Sequence, residues 1–478
     1  MQTFVRTEML TPQAPPVTER GVVKWLRENL FSSALNIGLT LLGIATLYYV
    51  VTLSLPWLLN GVWTASSLTE CRSIIAQNAG PDASGACWAI IHARWYQFIY
   101  GFYPPELYWR PVLAFGLLLV ALAPILFGDN ARNAGLLVSI VSALTILSLF
   151  LVNMPMWLFL ALSAGLILAS YLAYTRLNLL WYLTLLYPFL TVWLLWGGSL
   201  WGQVSIMAGF GVLVAAYRLL SPRLGVPIAT GIGVVAAVLW WLLLDDKVAE
   251  AMQHLIPLAI TPIESDKMGG FLLAFIIGVS SISLSLPIGI LLALGRQSDM
   301  FLVKALSVGF IEFVRGVPLI TMLFTASLLL QYFLPPNTNF DLILRVVILV
   351  TLFSAAYNAE VVRGGLAALP KGQYEAADAL GLDYWQAQRL IIMPQALKVS
   401  IPGIVSTFIG LFKDTTLVTF VGLAEPLRGI TTIVRADINW KGVYWEPYLF
   451  VGAIFFVVCY GMSRYSLYLE GKLRTDHN

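Results

Sequence analysis

The chain has 478 residues, of which 59% are hydrophobic and 11% charged, with net charge +3 and mean hydropathy +0.82. An average soluble domain is about a quarter charged. A water-facing globule is therefore excluded, because no core hides this much apolar surface, and lipid must be the solvent. The net charge is too small to suggest nucleic acid, and three scattered cysteines and three histidines give no metal framework.

The N-terminal segment 1–33, "MQTFVRTEMLTPQAPPVTERGVVKWLRENLF" in its first 31 residues, does not read as a secretory signal, because its first apolar run begins too late. Pro12, Pro15 and Pro16 predict a disordered tail. "GVVKWLRENL" has two open readings. One is an interfacial helix with Trp25 and Leu26 toward lipid and Lys24 and Arg27 toward phosphate. The other is a basic flank that fixes orientation.

A spanning helix needs about 20 mostly apolar residues, and about twelve segments qualify. They are 34–59, 111–127, 134–152, 156–174, 179–196, 203–220 and 228–244, then 268–294, 305–334, 341–363, 399–423 and 446–468. The expected fold is an all-α membrane protein with about 12 transmembrane helices. Tight turns such as "GDNARN" and "SPRLGVP" predict antiparallel hairpins in the first half, and Asn153 and Gln203 beside turns need no special function. The Lys/Arg bias places both termini and the segment 371–398 in the cytoplasm. Loops 60–110, 245–267, 335–340 and 424–445 then face outward. In loop 60–110 an oxidising exterior would allow Cys71 and Cys87 to pair, and two free thiols are the alternative. Loop 245–267 is expected to be a surface helix limited by Pro257 and Pro262. It separates an accessory region, 34–244, from the region 268–470. In loop 424–445, Arg428, Arg435 and Lys441 either meet an acidic partner or are simply solvated.

Ionisable residues at membrane depth concentrate in the last five spans. Lys413 and Asp414 fall about halfway along span 399–423. Charges in lipid are costly and tend to line pathways or pair. A zwitterion would be complemented by this cation and anion, with hydroxyls from Thr415 and Thr416. The alternative is that the two charges tie neighbouring helices together. Glu360 and Arg363 stand three apart, as do Glu312 and Arg315, a spacing that allows intrahelical pairs. The first pair reads as a gate or a structural bridge, the second as structural ahead of a kink at Pro318. Tyr357 and Asn358 either line the pathway or are buried and hydrogen-bonded.

The polar stretch "KGQYEAADALGLDYWQAQRLIIMPQALK", 371–398, stands apart from its apolar surroundings. It predicts a short helix over Gln373–Leu380, a left-handed stop at Gly381, and a second helix capped by Asp383 with Gln386 at capping-box spacing. Pro394 is expected to break or kink the chain before the next span. Ala376 and Ala377 leave one face nearly bare, which suits insertion into a groove on a soluble partner; a plain surface helix is the alternative.

"EAADALGLDYWQAQRLIIMP" resembles the EAA motif of ABC importer permeases. Glu375, Ala376, Ala377, Gly381, Ile391 and Pro394 fall at the matching positions, and Met393 replaces a Leu. "IEFVRGVPLITMLF", "YNAEVVRGGLAALPKGQYEAA" and "FIGLFKDTTLVTFVGLAE" are similar to the polar amino-acid branch of that family. The long N-terminal half resembles the larger permease of general L-amino-acid importers of the Aap/Bzt type. The resemblance implies a five-helix type I permease core over 268–470 in a bacterial inner membrane. It implies a coupling helix that docks on a separate ATPase, which binds ATP and Mg, with no cofactor on this chain. A periplasmic amino-acid-binding protein and a second, different permease would complete the assembly. The chain itself has no G-x-x-x-x-G-K-[ST] phosphate loop; "EGKLR" lacks the first Gly and the Ser/Thr. The alternative is an ion-coupled secondary transporter, which leaves the EAA segment without a role. An enzyme is disfavoured because His92, His254 and His477 all lie outside the spans.

Overall fold

The computed structural model describes residues 21–128, 130–152, 154–329, 332 and 341–474. The proline-rich tail, Asn153 and the loop 335–340 lie outside the described residues. Contacts divide the chain into two compact units, Met1–Ala93 with Arg435–Glu446, and Arg94–Val434 with Pro447–Asn478.

In the first unit, α1 (Gly21–Asn29) is amphipathic and carries the Lys24–Glu28 pair at 3.7 Å. The 26-residue α2 (Ala34–Leu59) is apolar on every side and buries none of its residues. Helix α3 (Leu68–Ala79) is capped by Ser67, whose side chain accepts from the Glu70 N–H. Cys71 of α3 is disulfide-bonded to Cys87, and both are buried. The Cys87 N–H donates to Glu446 Oε1 at 2.8 Å. Trp88 stacks on Trp63, with ring centroids 5.5 Å apart. Disulfide, carboxylate and aromatic contacts thus build a small ordered cap where sequence alone offers only a polar loop.

The second unit begins at a kink in α4 (Ala89–Tyr100), where Arg94 has φ −118° and ψ 17°. Helices α5 (Trp109–Phe127), α6 (Ala131–Phe150), α7 (Met156–Thr175) and α8 (Leu180–Trp196) pack on one another. Asn130 starts α6 by accepting the Asn133 N–H at 3.1 Å. The buried Arg110 at the head of α5 donates to the Thr261 carbonyl at 2.7 Å, anchoring the 245–267 segment to the accessory helices. Short strands β1 (Gly198–Ser199) and β2 (Ala259–Ile260) pair antiparallel beside it. Helix α9 (Leu200–Leu224) packs on α10 (Val226–Leu239) and α11 (Asp245–Leu255).

The expected break at residue 245 is absent. A π-helical turn, Trp240–Leu244, joins α10 to α11, and the run Ile228–Leu255 is continuous. No Gly or Pro interrupts residues 240–256, and Pro257 follows the end of the run.

Helix α12 (Gly270–Gln297) packs along α15 (Leu342–Ala367), the closest helix pair of the unit. Between them lie α13 (Phe301–Gly316) and α14 (Leu319–Phe324). The segment 305–334, expected as one kinked span, is fully interrupted. Val317 and Pro318 adopt extended conformations with ψ 131° and 137°. Proline lacks an N–H and disfavours helical geometry in the residue before it, and the helix restarts at Leu319. Eleven helical runs among the described residues are long and apolar enough to cross a bilayer. The chain is a multi-pass, all-helical membrane protein.

The segment 371–398 supplies α16 (Lys371–Ala379) and α17 (Tyr384–Ala387), followed by α18 (Met393–Asp414), α19 (Pro426–Ala436) and α20 (Trp445–Arg474). Pro394 neither breaks nor ends the helix. A π-helical turn, Gln388–Ile392, precedes it and frees the backbone that the ring would otherwise strain, so Tyr384–Val421 runs as one long element.

Candidate coupling segment and charged sites

Three polar constellations lie in the second unit. The first is the segment between α15 and α18. Pro370 starts α16 with φ −60° and ψ 139°, and Gly381 ends the turn after it with φ +70°. A Cβ on Gly381 would meet nothing within 4 Å. Glycine is required there by backbone conformation, not by lack of room. Asp383 caps α17, with its side chain on the Gln386 N–H at 2.9 Å and Gln386 reaching back to the Asp383 N–H at 3.2 Å. Gln395 Nε2 donates to Gln373 Oε1 at 3.0 Å, holding α16 against α18.

The alanine pair splits. Ala376 faces outward with Glu375, whereas Ala377 is buried at 1% exposure, so the small residue at 377 serves internal packing. Leu380, Tyr384, Trp385 and Leu390 are instead exposed around the turn. The segment therefore exposes four large apolar side chains as well as Glu375 and Asp378. Sequence reading missed this exposure because the four residues sit at no regular spacing.

The second constellation gathers charges where α12, α13 and α15 meet near the coupling segment. Glu360 Oε1 accepts from Arg296 Nη1 at 2.7 Å. Glu360 Oε2 accepts from Arg363 Nη2 at 3.0 Å and lies 3.5 Å from Arg315 Nη1. Arg296 Nη1 also donates to Glu312 Oε1 at 2.9 Å. The Glu360–Arg363 pair is present, but Glu312 and Arg315 do not pair with each other; each bonds to another helix. Adjacent turns of one helix are a weaker attraction than a shared, less exposed carboxylate. Arg296 was missed because it is 64 residues from Glu360. The Arg315 guanidinium also lies 5.9 Å from the Tyr357 ring centroid.

Asn358 is fully buried and donates to Ser285 Oγ at 3.1 Å, and Ser354 shares that oxygen. A Cβ on Gly289 would come within 2.8 Å of the Asn358 Cβ, so α12 and α15 touch here. Asn358 is thus buried and hydrogen-bonded at that helix contact.

The third constellation is at the end of α18. Lys413 is exposed and Asp414 half-buried. Among the described residues neither enters an ion pair. Thr415 Oγ1 donates to the Phe412 carbonyl at 2.7 Å, and Thr416 Oγ1 to the Lys413 carbonyl at 2.9 Å. Both hydroxyls are thus committed to the helix end. Phe412 and Thr415 pack at Gly278, eight residues into α12, or roughly 12 Å along its axis. These charges sit toward the end opposite the coupling segment, not halfway along a span, because the helix begins earlier than its apolar run. The helix–helix tie envisaged for Lys413 and Asp414 is not formed within the described residues.

Beyond α18, Glu425 has no exposed surface and caps α19, accepting from the Leu427 and Arg428 N–H groups at 2.8 and 2.6 Å. Burial pushes its carboxyl up to about 7 despite those bonds. Arg428 Nη1 donates to the Thr419 carbonyl at 3.2 Å.

Residues 285–475, which hold all three constellations, match the family of binding-protein-dependent transport system inner membrane components. The whole chain is similar to the glutamate/glutamine/aspartate/asparagine transport system permease protein BztC of Rhodobacter capsulatus. The two are 59% identical over 474 residues, 99% of each chain. It is 35% identical to the inner membrane amino-acid ABC transporter permease protein YhdY of Escherichia coli, over 94% of this chain and 93% of that one. The chain belongs to the amino-acid ABC transporter permeases. The ion-coupled alternative is thereby set aside. The glutamate/aspartate import permease protein GltK of Escherichia coli matches only 43% of this permease, at 31% identity, while 92% of GltK is covered. Accessory helices are thus added to a shorter permease. A crystal structure of an amino acid ABC transporter with histidines aligns over 42% of this chain and 90% of its own, at 29% identity and TM-score 0.37.

Proposed function

We propose that this permease is one of two different membrane subunits of an ATP-driven importer of amino acids, among them the acidic and amide types named for its Rhodobacter relative. The observation that carries the coupling half of this reading is the exposure around Gly381. Four apolar side chains and Ala376 are exposed on a segment whose second helix is closed by the Asp383–Gln386 capping box. Glu375, Ala376, Gly381 and the turn that leads to Pro394 form the peg, and Ala377 roots it in the bundle. A separate ATPase, carrying ATP and Mg, receives the peg in a groove, and closure of its nucleotide sites moves α15 and α18. A periplasmic binding protein delivers the amino acid from the other side.

Both termini and 371–398 lie in the cytoplasm, in keeping with the Lys/Arg bias. The disulfide of loop 60–110 supports an outward position for that loop. The region 34–244 is a scaffold, 245–267 a linker, and 268–470 the transporting core. Lys413, Asp414 and the Thr415 helix end serve the substrate path, together with Tyr357 and Glu360 nearer the coupling end. An unpaired cation and anion at membrane depth are expected to face a second subunit or a polar solute.

The test is purification of the assembled complex, with ATPase activity measured with and without binding protein and amino acid. Stimulation that disappears in Ala376→Trp, while the complex stays monodisperse without the ATPase, supports the reading. Uptake by vesicles that contain this polypeptide alone would end it.

A further inference from the structure

The accessory helices and the transporting core enclose a large groove whose chemistry suits neither an amino acid nor an ATPase. It has a volume of about 890 Å³, near the upper end of ligand pockets. Its walls come from α5, α6, α8, α12 and α15, with Phe115, Leu144, Tyr187, Leu284 and Val347 among the lining side chains. Asp341, at the mouth, is the one charged residue of the lining, and it caps α15 through the Leu344 N–H. Two of the lining hydroxyls are already committed, whereas Thr191 Oγ1 is buried without a partner among the described residues. Tyr187 donates to the Ala114 carbonyl at 3.1 Å and Thr145 to the Val141 carbonyl at 2.8 Å. Water would find few partners here, and an empty groove would forfeit the dispersion contacts of its walls. A zwitterion would be left without countercharges.

The position of the groove decides its occupant. On α12 the lining runs from Phe271 to Leu284, roughly 20 Å of helix axis, against about 15 Å for half a bilayer's hydrocarbon. On α5, α6, α8 and α15 it likewise uses only the half nearer the Asp341 end. Tyr100 and Trp196 stand at that end, side chains suited to the headgroup level. Below the groove the bundle closes. Val120, Ala123, Ala134, Val138 and Leu180 form a packed cluster, and Ser285, Ser354 and Asn358 join α12 to α15. A helix from a partner subunit would have to cross both halves and is blocked at mid-depth. A lipid of one leaflet ends there.

We propose that this groove binds one phospholipid from the leaflet opposite the coupling segment, with acyl chains against α5, α12 and α15 and the headgroup at the Tyr100–Trp196 mouth. The lipid then joins accessory helices to core and gives the extra helices a physical task.

Native mass spectrometry of the full chain in detergent tests this, with palmitoyl-oleoyl phosphatidylethanolamine as the added probe after delipidation. One tightly held lipid per chain is expected. Ser283→Trp or Leu344→Trp, which fill the groove from two different walls, should lower the bound fraction about tenfold. Ser283→Ala should leave it unchanged at the same melting temperature. The proposal is overturned if the natural chain holds no lipid above detergent background, or if both tryptophan variants retain it as well as the natural chain. A disulfide crosslink from Leu344→Cys to the other permease in native membranes would also overturn it.

Discussion

The two charged regions within residues 285–475 are built on opposite rules. At the coupling end, Glu360 holds arginines from three helices, and every member of the cluster has a partner within the chain. At the other end, Lys413 and Asp414 enter no ion pair among the described residues. Glu360, Arg363, Lys413 and Asp414 lie in helical runs long and apolar enough to cross a membrane, where an isolated charge is expensive. The closed network satisfies its charges within the chain, whereas the open pair leaves its charges without an ion-pair partner among the described residues.

The sharpest way to break this contrast is to remove the centre of the closed network. Glu360→Gln takes from Arg315 and Arg363 their ion-pair partner and leaves Arg296 with the exposed Glu312. Breaking a buried ion pair by removing one member costs about 3–5 kcal/mol, and Glu360 is slightly exposed, so about 3 kcal/mol is expected. Thermal melting in detergent should show a large drop, and the assembled complex should fall with it. Asp414→Asn should behave oppositely, with melting nearly unchanged and uptake lost by tenfold or about that. If Asp414→Asn melts as low as Glu360→Gln, the division into closed and open sites fails.

A smaller effect distinguishes the two alanines of the peg. Ala377→Trp forces a large ring into a packed site and should cost about 1–3 kcal/mol of stability. Ala376→Trp projects outward, so its melting should match the natural chain while ATPase capture is lost. Equal melting of both variants would show that the buried and exposed roles are assigned wrongly. Gly381→Ala should cost about 1 kcal/mol, because the left-handed conformation is strained for any residue with a Cβ. Circular dichroism melts resolve that difference, and an unchanged melt would mean the turn relaxes.

What was legible in the sequence follows the range of the interactions. The helical stop at Gly381 and the Asp383–Gln386 capping box act within four residues, and both stand where spacing puts them. Most span positions were legible because lipid imposes one simple requirement on each segment, the exceptions being 305–334 and the end of the run Ile228–Leu255. The partners of Glu360 were not. The intrahelical match to Arg363 was visible, whereas Arg296 and Arg315 arrive only when three helices converge. The π-helical turns ahead of α11 and before Pro394 were likewise hidden, since they redistribute backbone bonds without any sequence marker of their own. The extra exposure of Leu380, Tyr384, Trp385 and Leu390 is a tertiary fact that local pattern cannot state.

A pH-dependent effect concerns Glu425, whose ordinary carboxyl value of 4.5 is raised to about 7 by burial. A raised acid binds more protons in the folded state than in the unfolded one between those two values. Stability therefore falls as pH climbs through that window and levels off above about pH 7, the reverse of the usual carboxylate. Its hydrogen bonds to the Leu427 and Arg428 N–H groups limit the loss by holding the ionised form. Glu425→Gln cannot ionise, so its melting temperature should lack this slope while staying close to the natural value at pH 5. The comparison isolates the cap of α19 from the closed network, because the substitution leaves the residues around Glu360 unchanged. Parallel melting curves for the two proteins from pH 5 to 8 would show that Glu425 is solvated, not buried, in the membrane-bound state.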